Sequence, residues 1–388
     1  MQIACVGGGP ASLYFSILMK QVAPSHDITV YERNRDGSTY GWGVTFWGDL
    51  LDGLLSADPE SARAIKEGSF RWDSWVMNVH DRSTLTGDNW DEGFGIGRRE
   101  LLAILAERAR SLGVRVEYER EITGQDELAG ADLIVAGDGA GSVLRERHAA
   151  HFGTEVTTGR NPYVWLGTTK VFDAFTFAFT ETEHGWIWCY GYGYGADRST
   201  CVIECFPETW RGLGLHEANE ADTLALLEKL FADILDGHPL IGRGQTGAHW
   251  LNFRTLSNRT WHRGNLVLLG DAAHTTHYSI GAGTALALED AMCLVDALQA
   301  DKRLQPALDR FGRDRRASIR LAQRDARYSA RWYESLTRYI DLPPLQMHTL
   351  RSRRHSWLLP HVPPRLYYRS VRLGSRAARL IPARRASG

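Results

Sequence analysis

Three glycine-bearing corners hold most of the chemistry legible in this sequence: Gly7-Gly8-Gly9-Pro10-Ala11-Ser12, Gly137-Asp138-Gly139 and Gly270-Asp271-Ala272-Ala273-His274. The first follows the apolar run Gln2 to Val6 and leads into Ala11 to Met19 at helical spacing, so it reads as strand, tight turn and helix. Gly7 and Gly9 let backbone N–H groups approach a pyrophosphate at the N-terminus of the helix that Pro10 opens, and Ala11 and Ser12 are small enough for close helix–strand packing. A second strand, Ile28 to Tyr31, ends in Glu32-Arg33, where an acid can accept from ribose hydroxyls. The unit spans about 30 residues, as a βαβ crossover does. Its chemistry is dinucleotide binding, against the plainer alternative of an ordinary Gly-rich βα turn.

Each corner needs elements to hold it. Ala131 to Ala136 is a buried strand running into Gly137, and Asn265 to Leu269 is another running into Gly270. Gly281-Ala282-Gly283-Thr284 opens a long apolar helix to about Leu298, and Arg98-Arg99 begins a helix with Leu101, Leu102, Leu105 and Ala109 at helical spacing. Residues 162–207 change texture: Thr, Val, Phe, Trp and Tyr alternate between Gly-rich turns, which predicts an antiparallel sheet inserted into an α/β chain. Within it, Gly191-Tyr192-Gly193-Tyr194-Gly195 reads as a flexible hairpin turn. The predicted fold is α/β, with a Rossmann-like domain from 1–70, 96–155 and 260–340. An antiparallel-sheet substrate domain takes 71–95 and 156–259, and a helical, basic tail takes 341–388.

The chain has 388 residues, 45 basic against 46 acidic, and a formal charge of −1, which provides no field for nucleic acid. The balance is uneven. Ten arginines fall between Arg351 and Arg385, with no acidic residue after Asp341, so the body is acidic and the tail basic. That tail has three readings: folding back on the body, clamping phosphates, or lying on an anionic membrane. The five cysteines form no CxxC pair and nowhere do eighteen apolar residues run together, so a soluble, cytoplasmic protein without a membrane partner is expected. The fourteen His show no HxH or HExxH grouping, and no metal site is expected.

The three corners, in this order along nearly the whole chain, resemble the single-component FAD-dependent aromatic hydroxylases, the para-hydroxybenzoate hydroxylase family. The run from His274 to Thr284, with Gly41-Trp42-Gly43-Val44, looks like the branch that hydroxylates salicylyl-CoA and aminobenzoyl-CoA. Gly159 to Trp165 is similar to the violacein-pathway hydroxylases. The resemblance implies FAD, with NADH or NADPH as reductant and O₂ as co-substrate, and hydroxylation through a C4a-hydroperoxyflavin. It places the cofactor on Gly7, Gly9, Pro10, Ala11, Ser12, Glu32, Arg33, Trp42, Gly43, Arg98, Asp138, Gly270, Asp271, Gly281, Gly283 and Thr284. Salicylyl-CoA to gentisyl-CoA is the implied reaction. The alternatives are an indole or tryptophan-derived substrate and a non-enzymatic regulatory binder with the same nucleotide fold.

Several side chains keep two readings. His277 can exchange a proton with substrate or order the backbone, and His274 reads as a structural residue of the helix turn. Trp42 either contacts flavin or substrate, or fills a loop core. Trp186-Ile187-Trp188 resembles part of a halogenase motif, but Cys189-Tyr190 breaks the match. The prolines that the broad family carries after the Gly-Asp corner are replaced here by His277 and Tyr278.

Overall fold

The computed structural model describes residues 1–39, 41–79, 82–86, 92–242 and 249–380. Arg384 and Arg385 of the basic tail lie outside the described residues.

Apolar β-branched runs flanked by glycine corners become a six-stranded sheet. Its order is His262–Arg263, Leu266–Leu268, Leu133–Ala136, Gln2–Val6, Asp27–Tyr31 and Arg115–Glu117, parallel except at the first pair. Ile3 lies opposite both Ile28 and Leu133, so the central strand is covered on both edges by strands as apolar as itself. Helix Pro10–Val22 packs against helices Arg98–Ser111 and Gly283–Ala300, and the three bury a continuous core with the sheet. The sheet order brings the ends of strands Gln2–Val6, Leu133–Ala136 and Leu266–Leu268 side by side. All three glycine corners therefore emerge side by side at the carboxyl ends of these parallel strands, although more than a hundred residues separate each from the next.

The second sheet runs Leu240–Ile241, Glu155–Thr168, Arg198–Cys205, Gly185–Gly195, Phe175–Thr182, Trp75–Val79 and Arg82–Thr86, with Leu251–Ser257 also paired to Glu155–Thr168. It is antiparallel apart from Phe175–Thr182 beside Trp75–Val79. A small third sheet joins Gly43–Trp47, Gly93–Gly97 and Phe70–Trp72. Gly191 to Gly195 is not a flexible turn. It is the end of the buried strand Gly185–Gly195, and its glycines face large rings: a Cβ on Gly191 would sit 2.7 Å from Phe172, and one on Gly193 2.7 Å from Phe70. Tyr192 on the alternate face donates to Gly43 O at 2.9 Å and ties the small sheet to the large one.

Helix Leu304–Glu334 spans from the first core to a second one. There Trp332, Tyr333 and Leu336 meet Phe177, Trp188 and Tyr190 of the large sheet. The basic C-terminal segment joins that same core. Helix Pro344–Ser352 packs on strand Trp75–Val79 with Met347 and Leu350 buried, and Leu359 and Tyr368 follow them in. No helix of the described residues is long and apolar enough to cross a membrane.

Candidate active site

Gly7 adopts φ +93°, and a Cβ there would meet Gly137 O at 2.5 Å, so the first and second corners touch backbone to backbone. Ser12 is fully buried, and a Cβ on Gly137 would lie 2.1 Å from its Oγ. The glycine that the fingerprint lacks at position 12 is thus supplied across the strand by Gly137. Glu32 Oε2 accepts from Gly8 N at 2.7 Å while its Oε1 accepts from Asn34 N at 2.9 Å, which fixes the loop from below. Helix Pro10–Val22 starts after Gly9 without a side-chain cap, and helix Gly283–Ala300 starts after Ala282 without one and with no acid in its first turn. Both N-termini keep free N–H donors.

The third corner stands on a buried charge network that sequence reasoning missed. Asp290, on helix Gly283–Ala300, accepts from Gly270 N at 3.1 Å, bonds His274 Nε2 at 2.7 Å and accepts from Arg315 Nε at 2.7 Å. Although burial opposes ionisation, His274 and Arg315 hold Asp290 below the usual carboxylate range. His274 also stacks on Trp261 at 5.2 Å, so it is structural, as expected. Asp271 beside it is open to a cavity, yet the surrounding protein desolvates its carboxyl and raises its pKa, which His274 and Arg98 partly offset.

That cavity has a volume of about 490 Å³ and two unlike ends. One is lined by Gly9, Pro10, Gly139, Asp271, Gly283 and Thr284, the other by Trp75, Phe175, Phe177, Tyr190 and Tyr192 of the large sheet. The aromatic rings interlock, with Trp75 4.9 Å from Phe175 and Phe175 5.3 Å from Tyr192 between centroids. Behind them lies Glu204, 1% exposed, whose Oε2 accepts from Tyr278 OH at 2.5 Å and Tyr190 OH at 3.0 Å, and whose Oε1 accepts from Asn161 at 2.8 Å. Burial pushes Glu204 up to about 7 against these stabilising bonds. Tyr278 and Tyr190 line the cavity and Glu204 does not, so the two phenols link the carboxyl to the cavity, Tyr278 by the shorter bond. In sequence, nothing singled out Glu204 from other acids; only the partners show its role.

The expected site residues divide. Gly9, Pro10, Ala11, Gly43, Arg98, Asp271, Gly281, Gly283 and Thr284 line the cavity. Gly7, Ser12, Glu32, Asp138 and Gly270 do not line it: Asp138 Oδ2 accepts from Val143 N at 2.9 Å to hold the second corner, and the Glu32 carboxylate is taken up by Gly8 N and Asn34 N. Arg33 is exposed and not part of the wall. Arg98 reaches the wall from the start of its helix, with its backbone N on Trp42 O and its Nε on Thr39.

Two residues take the plainer of their readings. Trp42 lies over Gly167 and donates Nε1 to Trp165 O at 3.3 Å, so it fills a loop core and does not line the cavity. His277 does not line it either. Its Nδ1 pairs with Ser279 at 2.9 Å, its ring stacks on Tyr278 at 4.3 Å, and burial pushes its pKa down to about 3. A base that weak takes no phenolic proton near neutral pH, and it serves to order the loop before Gly281.

The residues present fit FAD. Two uncapped helix N-termini, glycine backbone at Gly9 and Gly139, and the carboxyl of Asp271 converge on one elongated cavity. Free N–H groups suit a diphosphate and an anionic ring edge, and Asp271 suits a polyol hydroxyl. Among the described residues, no cluster of His, Cys, Asp or Glu has the arrangement of a metal site.

Comparison with known proteins gives the same direction. A family profile described as FAD binding domain matches residues 89–325. The chain is 36% identical over 352 residues to a salicyloyl-CoA 5-hydroxylase of a Streptomyces species, which covers 88% of this chain, while the chain spans 66% of that relative's length. It is 36% identical over 343 residues to the 3-hydroxy-4-methyl-anthranilyl-[aryl-carrier protein] 5-monooxygenase of Streptosporangium sibiricum, covering 88% of this chain and 91% of that one. Its fold is similar to solved 2-methyl-3-hydroxypyridine-5-carboxylic acid oxygenase, with a TM-score of 0.68 at 20% identity over 87% of this chain and 91% of the other.

Proposed function

The chain belongs to the FAD-binding-domain family of FAD-dependent aromatic monooxygenases, and on that premise we propose that it hydroxylates an aryl thioester, with salicylyl-CoA to gentisyl-CoA as the specific reaction. The observation that carries the reading is the two-ended cavity, phosphate-binding backbone at one end and a wall of aromatic rings at the other. Two similar proteins are named for aryl groups held on CoA or on a carrier protein, which favours a thioester over a free acid.

FAD, reduced by NAD(P)H, supplies the oxygen-transfer chemistry when bound. The chain's own residues do the rest. The free N–H groups before Ala11 and Thr284, with Asp271, hold the cofactor. Trp75, Phe175 and Phe177 orient a flat ring and exclude water. Tyr278 Oη, bonded to Glu204 at 2.5 Å, gives a phenolic proton a way out of the cavity, and loss of that proton raises electron density para to the oxygen.

The test is stopped-flow reduction of the FAD-loaded enzyme by NADH and by NADPH, with salicylyl-CoA, free salicylate or an indole present. The expected result is that salicylyl-CoA accelerates flavin reduction and is converted to gentisyl-CoA, while free salicylate, lacking the remote groups whose binding energy places the ring, is poor. Faster turnover of free salicylate or of an indole overturns the thioester reading.

A further inference from the structure

Arg351 is a buried cation without a counter-ion. It lies 3% exposed on helix Pro344–Ser352, in the segment that the sequence shows only as a basic tail, and it lines the aromatic end of the cavity. Its guanidinium carbon sits 3.8 Å from the centroid of the Phe177 ring and 4.7 Å from that of Trp75. Among the described residues no carboxylate comes within ion-pair distance, and its Nε has no hydrogen-bond partner. The titratable and charged groups that act on it are the Tyr190 and Tyr333 phenols, the His348 and His355 imidazoles and the Arg354 guanidinium, and none of them is a carboxylate. Desolvation accordingly lowers Arg351 to about 10, which still leaves it charged.

A desolvated cation is costly unless an anion joins it. Ring faces offset part of that cost through cation–π contacts. They leave its Nε–H without a hydrogen-bond acceptor. The helix is also fastened in place. Arg354, one turn on, donates to Ser279 O at 2.9 Å and to Ser329 Oγ at 2.7 Å, which locks the segment onto the loop before Gly281 and onto helix Leu304–Glu334. Arg351 is therefore held rigidly, charged and under-bonded, beside the rings where an aromatic substrate would lie.

We propose that Arg351 is the residue that binds the phenolate oxygen of the aromatic substrate, selecting the ionised ring and holding it in the form that reacts. The inference rests on the aromatic monooxygenase reading above but not on the thioester. Ionisation breaks the phenol O–H bond, the electron pair stays on oxygen opposite Arg351, and the proton passes to Glu204 through Tyr278. In a salicyl thioester the carboxyl is esterified, so the phenolate is the one anionic oxygen left on the ring.

The test is a spectroscopic titration of 4-nitrophenol bound to the FAD-loaded enzyme, since its phenolate and phenol absorb at different wavelengths. The wild-type protein is expected to lower the apparent pKa of bound 4-nitrophenol by at least one unit, a tenfold preference for the anion. Arg351→Met is expected to abolish that shift and Arg351→Lys to retain part of it, with FAD still bound in both. A wild-type protein showing no preference for the anion overturns the proposal, and that measurement needs no variant to fold. So does an Arg351→Met protein that binds the nitrophenolate with the wild-type preference. Because 4-nitrophenol carries no thioester, failure of salicylyl-CoA to turn over would count against the thioester reading alone.

Discussion

Asp271 and Glu204 are two carboxyls desolvated beside one cavity, with different tasks set by what surrounds them. Asp271 faces cavity space and no side chain among the described residues bonds it, so its natural partner is a hydroxyl of the cofactor. Asp271→Ala is expected to weaken FAD by about 1.5–3 kcal/mol, roughly 10- to 150-fold in Kd, with the melting temperature of the FAD-free protein unchanged or slightly higher. FAD fluorescence titration checks it, and an unchanged Kd would remove Asp271 from the cofactor site. Glu204 makes its bonds within the protein, and its pKa of about 7 lies above the ordinary 4.5. For an acid raised in the folded state, the stabilising contribution is fully present below the unfolded pKa near 4.5 and is lost as pH rises through 7. Wild type should therefore lose up to about 3 kcal/mol between these limits relative to Glu204→Gln. Activity should run the other way, rising through pH 7 as the carboxylate forms, and flattening in Glu204→Gln. Parallel melting profiles for the two proteins would show that Glu204 does not titrate there. Asp271 was legible in sequence because it follows a glycine corner. Glu204 was not, because its partners come from residues 161, 190 and 278, and only the sheet brings them together.

At the level of elements, the glycine corners were readable since each combines a local signal, an apolar strand followed by a turn residue. What joins them was not readable, because the contact between Gly7 and Gly137 spans 130 residues of chain. The alternation of Tyr190, Tyr192 and Tyr194 with glycines was misread for a similar reason. Glycine in isolation signals a turn, but here Phe70 and Phe172 occupy the space that side chains would fill. Ser12 opposite Gly137 makes the point testable. Gly137→Ala brings a methyl within 2.1 Å of Ser12 Oγ, while the next atoms, Ser12 Cβ and Val6 O, lie at 3.4 and 3.6 Å. The substitution should destabilise by about 1–3 kcal/mol through overpacking. Ser12→Gly placed in the same protein should restore much of that loss, because it removes the one atom in the way. Denaturant unfolding of the two single variants and the double variant measures the coupling, and additive effects would place the strain elsewhere.

For the whole molecule, the charge asymmetry between an acidic body and a basic C-terminal segment has a structural answer on one face and an open surface on the other. The inner face of that segment buries Met347, Leu350 and Leu359 against Trp332 and Tyr333 and brings Arg351 to the cavity. Removing everything after Asp341 should thus cost several kcal/mol and unfold the second core, as loss of several large buried side chains does. Such a truncation says nothing about ligands. The outer face is separable: Arg365, Arg369 and Arg372, with Tyr368 and Gln346, line a second cavity between the two C-terminal helices, and none of the three is ion-paired among the described residues. A groove with three guanidiniums that have no carboxylate partner suits the phosphates of a CoA handle. The triple substitution Arg365→Ala, Arg369→Ala, Arg372→Ala should leave the fold and FAD in place and raise KM for salicylyl-CoA several-fold at low salt, at about 0.5–1 kcal/mol for each exposed charge. It should also flatten the rise of KM with salt that wild type shows, while kcat and the binding of 4-nitrophenol stay as they were. If KM and its salt dependence are unchanged, the outer arginines take no part in holding the thioester.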